Sequence, residues 1–504
     1  MWQKKERICQ TRAKLYRETW SRQDARWRWK WRKKKKRMRA EAVEVAATAG
    51  EIAEAISQGV ACCGVGEGVL YEANALTSFL PEPVVAVLRS VGLMNVFMWL
   101  TNAPAYQSLA AVAAVVYFVF APPGVLAGIL DFYVLNGVDK TLQKRWNEDE
   151  FVLGRVRGRG NFGTVYEAFR VSETGARPET RGNRAETPGF VLKRLKQDRR
   201  GVDIRTDFLK KGTIASGAGE TGRAEMYMNG RMRRSLAGVT AAYLGNFTVR
   251  ETNAGFINGE EFIVWKYESD STLEDYLDDP SYPDKLETVL YGRVRDEDDE
   301  ATRLRRVARD VIRQVLNALA KFHAVGLVHR DIKPSNMLVT ERGRVIIIDL
   351  GACADLRMGI NFNPDEGLLD PDYCPPERLV VPKTAPRSGS PVLAALGSPV
   401  FWLAAAPDLF DTYSAGIVLL RLLIPTLRKT SFLSPFNKEL EKSGYDLRSW
   451  RKDGEPQAIR SDYEAADSNF GLGWDLACRL VCPRGVAFRG RMSASAALRH
   501  PFLL

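Results

Sequence analysis

No charged residue occurs from Ser90 to Leu130, no two of the seven cysteines are spaced as CxxC, and no serine or threonine stands between Asp349 and Glu377 in this chain of 504 residues. Each absence excludes something. Without CxxC pairs there is no usual zinc framework and no disulfide scaffold, so a reducing compartment is expected for the C-terminal part. The adjacent Cys62-Cys63 reads first as two small buried thiols, with redox activity as the alternative. An uncharged run of 41 residues exceeds the roughly 20 that a helix needs to cross a bilayer core. The best spanning stretch is 105–130, and a buried hairpin packed on the following domain is the alternative.

Net positive charge is confined to the first 40 residues. The net charge is +12, but Met1 to Ala40 hold 17 Lys/Arg against three acids, so this segment carries +14 and the rest −2. An acid-poor, Arg-rich start reads as a targeting segment. The interleaved Trp20, Trp27, Trp29 and Trp31 are a weak nucleic-acid signal, and no nucleic-acid partner is expected. Lys140, Lys144 and Arg145 follow the uncharged run, whereas seven glutamates precede it over 41–89. The positive-inside tendency then puts the C-terminal domain on the cytoplasm-like side.

Beyond residue 148 the pattern becomes globular. Short apolar runs at 151–156, 164–169 and 190–193 read as strands, and the sequence after 302 is mostly helical with a strand pair at 336–339 and 345–348. The expected organisation is a basic tail over 1–40, an acidic then apolar segment over 41–104, a single transmembrane helix over 105–130 and a juxtamembrane linker over 131–148. An α+β, two-lobed domain, with a β-rich small lobe and a helical large lobe, then fills 149–504.

Gly158-Arg-Gly160-Asn161-Phe162-Gly163-Thr-Val165 fits GxGxxGxV between two strands. Such glycines let backbone N–H groups approach phosphates closely, and the strand that follows argues against a dinucleotide fingerprint, which opens a helix. Lys193, on the next apolar strand, is placed to grip phosphates. Its acidic partner is expected to be Glu225, with Glu220 as the alternative. Lys266 and Glu268 are candidates for the hinge that closes the nucleotide pocket.

The decisive segment is His329-Arg-Asp331-Ile-Lys333-Pro-Ser-Asn336, which matches the catalytic loop of protein kinases. Asp331 is expected to accept the acceptor hydroxyl's proton, Lys333 to neutralise the γ-phosphate of ATP, and Asn336 with Asp349 to hold Mg2+. Lysine at 333 points to serine and threonine acceptors. Asp349-Leu-Gly351 keeps the metal-binding carboxylate of D-F-G and replaces its phenylalanine. Glu377 of Pro375-Pro-Glu377 is expected to pair with Arg491, and Asp411 opens an apolar anchor helix. In place of an activating phosphate on the loop, Asp365, Glu366, Asp370 and Asp372 are expected to give Arg330 permanent negative charge. The apolar 392–406, with Phe401 and Trp402, reads as buried helical turns before it reads as a docking surface. A non-catalytic scaffold is disfavoured because Lys193, Asp331, Asn336 and Asp349 are all retained.

From about Ala105 to Leu504 the chain resembles the state-transition and photosystem-core kinases of chloroplast thylakoids. The likeness rests on Ala-Pro-Pro-Gly-Val-Leu-Ala-Gly-Ile-Leu-Asp131, the catalytic loop and Ile348-Asp-Leu-Gly-Ala-Cys-Ala-Asp-Leu-Arg-Met-Gly-Ile-Asn361. Leu368-Leu-Asp-Pro-Asp-Tyr-Cys-Pro-Pro-Glu377 and Pro407-Asp-Leu-Phe-Asp-Thr-Tyr-Ser-Ala-Gly-Ile-Val-Leu-Leu420 look most like the photosystem II core branch. The resemblance implies a membrane-bound thylakoid enzyme whose kinase domain faces the stroma. Its implied partners are threonines of photosystem II core subunits or, in the alternative branch, light-harvesting proteins. Cys62-Cys63 lacks the spaced lumenal pair of that antenna branch, so redox control through such a pair is not implied. A plasma-membrane kinase is the remaining alternative.

Overall fold

Alternating burial along short strands builds the first part of the domain. The structure, a computed structural model, describes residues 113–114, 116–159, 163–171, 188–195, 218–236, 238–253, 255–294, 298–359, 370–380, 391–453, 463–485 and 490–504. Strands β1 (Phe151–Arg159), β2 (Gly163–Arg170), β3 (Phe190–Leu195), β4 (Tyr243–Thr248) and β5 (Glu261–Lys266) form one antiparallel sheet in the order β1-β2-β3-β5-β4. Side chains alternate between its faces. Leu192, Phe262 and Val264 join an aromatic core with Phe151, Phe247 and Phe256, while Leu195, Ile263 and Trp265 pack on the other side. Register aligns Gly158, Val165, Lys193 and Ile263 in one cross-strand row.

Upstream of the sheet, α1 (Val125–Leu130), a π-helical Asp131–Leu135 and α2 (Asn136–Leu142) follow one another without a break. Val125, Gly128 and Asp131 are buried, whereas Leu126, Leu130, Val134, Val138 and Leu142 are exposed. Helix α3 (Ala218–Ser235) lies between β3 and β4 in the chain.

The large lobe follows through α4 (Leu273–Leu277) and α5 (Asp284–Tyr291). Its main pillar, α6 (Glu300–Ala324), is capped by Asp299, whose carboxylate accepts from Thr302 N at 2.8 Å. Buried residues from Leu304 to Phe322 recur along it at helical spacing, the mark of an amphipathic core helix. Beyond the short pairs β6 (Leu327–Val328) with β9 (Ala354–Asp355) and β7 (Met337–Val339) with β8 (Val345–Ile347) come α7 (Pro391–Ala405), α8 (Leu409–Leu423), α9 (Leu433–Lys442), α10 (Leu447–Asp453), α11 (Glu464–Val481) and α12 (Ala494–Ala497). Residues Tyr117–Leu504 make up a compact unit by themselves.

Of the span expected over 105–130, residues 105–112 and 115 lie outside the described residues, as do Cys62-Cys63 and the basic tail. Among the described residues no single helix is long and apolar enough to cross a membrane. One bent pair, Val392–Ala405 with Leu409–Leu423, passes on length and composition, but α8 is buried from Phe410 to Leu423 and is a core helix of the lobe. Helix α7 runs as one helix through Pro399. Phe401 and Trp402 pack on a core of Val328, Leu356 and Phe410, while Val400 and Leu403 point outward.

Candidate active site

Three structural elements converge on Lys193. Its Nζ donates to Glu225 Oε2 on α3 at 2.7 Å and lies 3.6 Å from Asp349 Oδ1. Burial disfavours the lysine's charge, but the two carboxylates more than offset this and its pKa is raised. Burial pushes the Glu225 carboxyl up to about 7, against the pull of Lys193 and with the repulsion of Asp349. Asp349 is held below its ordinary range because Lys193, His329 and the Gly351 N–H outweigh its burial. The side chain of Glu220 lies outside the described residues.

Gly163 opens β2 where only glycine fits, since a Cβ there would stand 2.3 Å from Arg194 O. Gly158 and Val165 are paired across β1 and β2. Gly160, Asn161 and Phe162 lie outside the described residues. Lys266 ends β5 with its N–H on Ala242 O, and the next residue, Tyr267, donates to Gly189 O. Glu268 follows in the link to α4.

The catalytic-loop sequence is held from below by one buried carboxylate. Asp411 accepts from the backbone N–H groups of His329 and Arg330, both at 2.8 Å, and its Oδ2 lies 2.9 Å from His323 Nε2. This fixes Arg330 in the left-handed region, at φ 69°, which a non-glycine residue adopts only when its surroundings enforce it. The His329 ring accepts from Asp331 N at Nδ1, so its Nε2–H faces Ile348 O at 3.1 Å. Asn336 donates to both the carbonyl and Oδ2 of Asp331, at 2.9 and 2.8 Å. That uses the amide's donors and leaves its oxygen for other work. Asp331 Oδ1 is buried and pairs with Lys333 Nζ at 3.1 Å.

Asp370 was expected to answer Arg330, yet its Oδ2 takes Lys333 Nζ at 3.1 Å, so Lys333 bridges two carboxylates. Arg330 instead donates through Nε to Ala352 O, and burial lowers its pKa to about 10. Asp365 and Glu366 lie outside the described residues. Asp370 sits on a stiff turn, with its Oδ1 accepting from Asp372 N and its carbonyl from Tyr373 N and Cys374 N. Tyr373, the only hydroxyl side chain in the segment, is buried and its OH lies 2.7 Å from Arg421 Nη1. Arg421 in turn forks onto both oxygens of Glu274 at 2.6 and 2.8 Å. Arg491 makes the same kind of two-pronged contact with Glu377, at 2.6 and 3.1 Å.

Comparison with known proteins places this geometry. A protein kinase domain model matches residues 286–503. The chain is 40% identical over 394 residues to the chloroplast serine/threonine-protein kinase STN8 of Arabidopsis thaliana, an alignment that covers 77% of this chain and 78% of STN8. The chain belongs to the STN8/STN7 family of serine/threonine protein kinases. STN7 of the same plant is 36% identical over 389 residues, covering 76% of this chain and 62% of STN7. Among solved structures, that of an Stt7 homolog from Micromonas algae soaked with ATP matches with a TM-score of 0.56 at 28% identity, over 72% of this chain and 94% of that one. The protein is thus an ATP-dependent protein serine/threonine kinase of two lobes.

What sequence reasoning missed in this kinase are the holders of the site: Asp370 on Lys333, Asp411 under the loop, and the Arg421–Tyr373 contact. Asp411 carried a signal, an acid at the start of a largely apolar, buried helix, where an unpaired charge would be costly.

Proposed function

We propose that this kinase acts in the chloroplast, bound to the thylakoid membrane with its catalytic domain toward the stroma, and phosphorylates threonine and serine on photosystem II core subunits. The similarity to STN8 and the uncharged stretch over 90–116, which precedes the compact unit Tyr117–Leu504 in the sequence, support this reading.

In this reading Asp331 orients the acceptor hydroxyl and takes its proton through Oδ1, since Asn336 occupies Oδ2 and Oδ1 is paired with Lys333 alone. Lys333 neutralises the transferred phosphoryl group. Lys193, braced by Glu225, binds the nucleotide's phosphates beneath the glycine loop, and Lys266 and Glu268 border the adenine. Among the described residues no three His, Cys, Asp or Glu side chains form a metal site by themselves. The carboxylate of Asp349 and the amide oxygen of Asn336 are hard oxygen donors that suit Mg2+ shared with a nucleotide's phosphates. The bound ion would offset charge on those phosphates.

The convergence of Lys193, Glu225 and Asp349 carries the phosphoryl-transfer part of the proposal, and the similarity to STN8 its substrate part. The test is phosphosite mapping on thylakoids incubated with wild-type and Asp331→Asn enzyme. New phosphothreonines on photosystem II core subunits with the wild type alone are expected. Sites confined to light-harvesting proteins would move the enzyme to the antenna branch, and identical maps would remove the proposal.

A further inference from the structure

Helix α3 must present Glu225 to Lys193, yet what holds it lies on its opposite side. At about 100° per residue, Tyr227, Arg231 and Arg234 fall within about 60° of one another and roughly opposite Glu225. The segment before the small-lobe sheet meets that back face. Asp131, 4% exposed, accepts from Arg234 Nε and Nη2 at 2.8 and 2.9 Å, and its Oδ2 lies 3.4 Å from Arg231 Nε. Asp139 adds Arg233 at 2.5 Å and Arg234 at 3.4 Å.

Arg231, with Tyr227, ties this clamp to the segment that follows Asp349. Arg231 reaches Asp355 Oδ2 at 3.3 Å and Val325 O at 3.1 Å, while Tyr227 donates to Asp355 at 3.0 Å. Asp355 lies six residues past Asp349 and is fully buried. Two residues on, Arg357 donates to Pro123 O and Ala324 O. Close packing leaves this arm little slack, for a Cβ on Gly128 would meet Arg357 at 3.1 Å. A charge cluster buried at this depth breaks at high cost when one partner is removed.

We propose that Asp131 is a positioning residue for phosphoryl transfer: by clamping Arg234 and Arg231 on the back of α3, it sets the helix so that Glu225 meets Lys193. The segment 123–139 is then a working part of the catalytic domain, and its placement governs nucleotide binding. The inference rests on the role given above to the Lys193–Glu225 pair.

The experiment is a double-mutant cycle on the full-length chain, measuring KM for ATP, kcat and Tm for wild type, Asp131→Asn, Glu225→Gln and the double variant. Asp131→Asn is expected to raise KM for ATP about tenfold, Glu225→Gln to do at least as much, and the double variant to match Glu225→Gln within about twofold. Asp131→Glu should restore most of the loss. A lowered Tm with unchanged KM and kcat, or effects that multiply in full, would overturn the inference. If Asp131→Asn does not fold, Asp139→Asn at the rim of the clamp should still raise KM about threefold, and an unchanged KM there would overturn it as well. A Glu225→Gln enzyme with normal KM would instead refute the assignment of the Lys193–Glu225 pair itself.

Discussion

The catalytic loop and helix α3 each deliver a charged side chain to the same cleft, but they are held in different ways. The loop hangs on Asp411, through two backbone N–H groups that any residue but proline would supply at 329 and 330. Helix α3 hangs on its own side chains, with Asp131, Asp139, Asp355 and the Val325 carbonyl answering Arg231, Arg233 and Arg234 from segments far away in sequence, and with Met228 and Met232 in the core. A loop pinned by its backbone is rigid by construction. A helix pinned by side-chain charge can be set or released by whatever moves those partners.

The largest break in this comparison is chemical. Asp331→Asn should lower kcat about 10²–10⁴-fold, as loss of a general base does, with KM for ATP nearly unchanged in steady-state phosphotransfer to a peptide. Asp411→Ala comes next. It strands two backbone donors and His323 in a dry core, each worth about 1–3 kcal/mol, so urea unfolding should register a loss of several kcal/mol together with the fall in kcat. Such a loss without any fall in kcat would mean that the loop does not depend on this anchor.

Asp370→Ala sharpens the contrast within the large lobe. Lys333 would keep only Asp331 as a partner, and kcat is expected to fall about tenfold while KM for ATP stays within about twofold. A change in KM alone would place Asp370 in nucleotide binding instead.

The smallest effect is one of pH, and it belongs to α3. With Glu225 titrating at about 7, roughly a tenth is ionised at pH 6 and roughly nine-tenths at pH 8. KM for ATP should therefore drop several-fold across that interval, and Glu225→Gln should flatten the profile. The stability term runs the other way. Between the ordinary 4.5 and about 7 the folded chain holds a proton at Glu225 that the unfolded chain releases, so this group's contribution to stability declines as pH rises.

Much of this site is written locally. Lys193, Asp331, Asn336 and Asp349 each sit in short motifs whose residues stand a few positions apart. Glu225 needed only a helix near the right strand. Asp370 was misread because the sequence offered two cations, Arg330 and Lys333, and nothing in a linear string says which of them a turn will face. Asp131 was used merely as the end of an uncharged run. Its partners lie 100 and 103 residues away, and no periodicity links such positions.

Composition and motif spacing by themselves determined that this chain transfers phosphate from ATP, because that chemistry is carried by side chains close together along the backbone. Only the tertiary structure decided which buried charges neutralise one another. Coulomb attraction and desolvation act through space, and distance in the fold is not readable from separation in sequence.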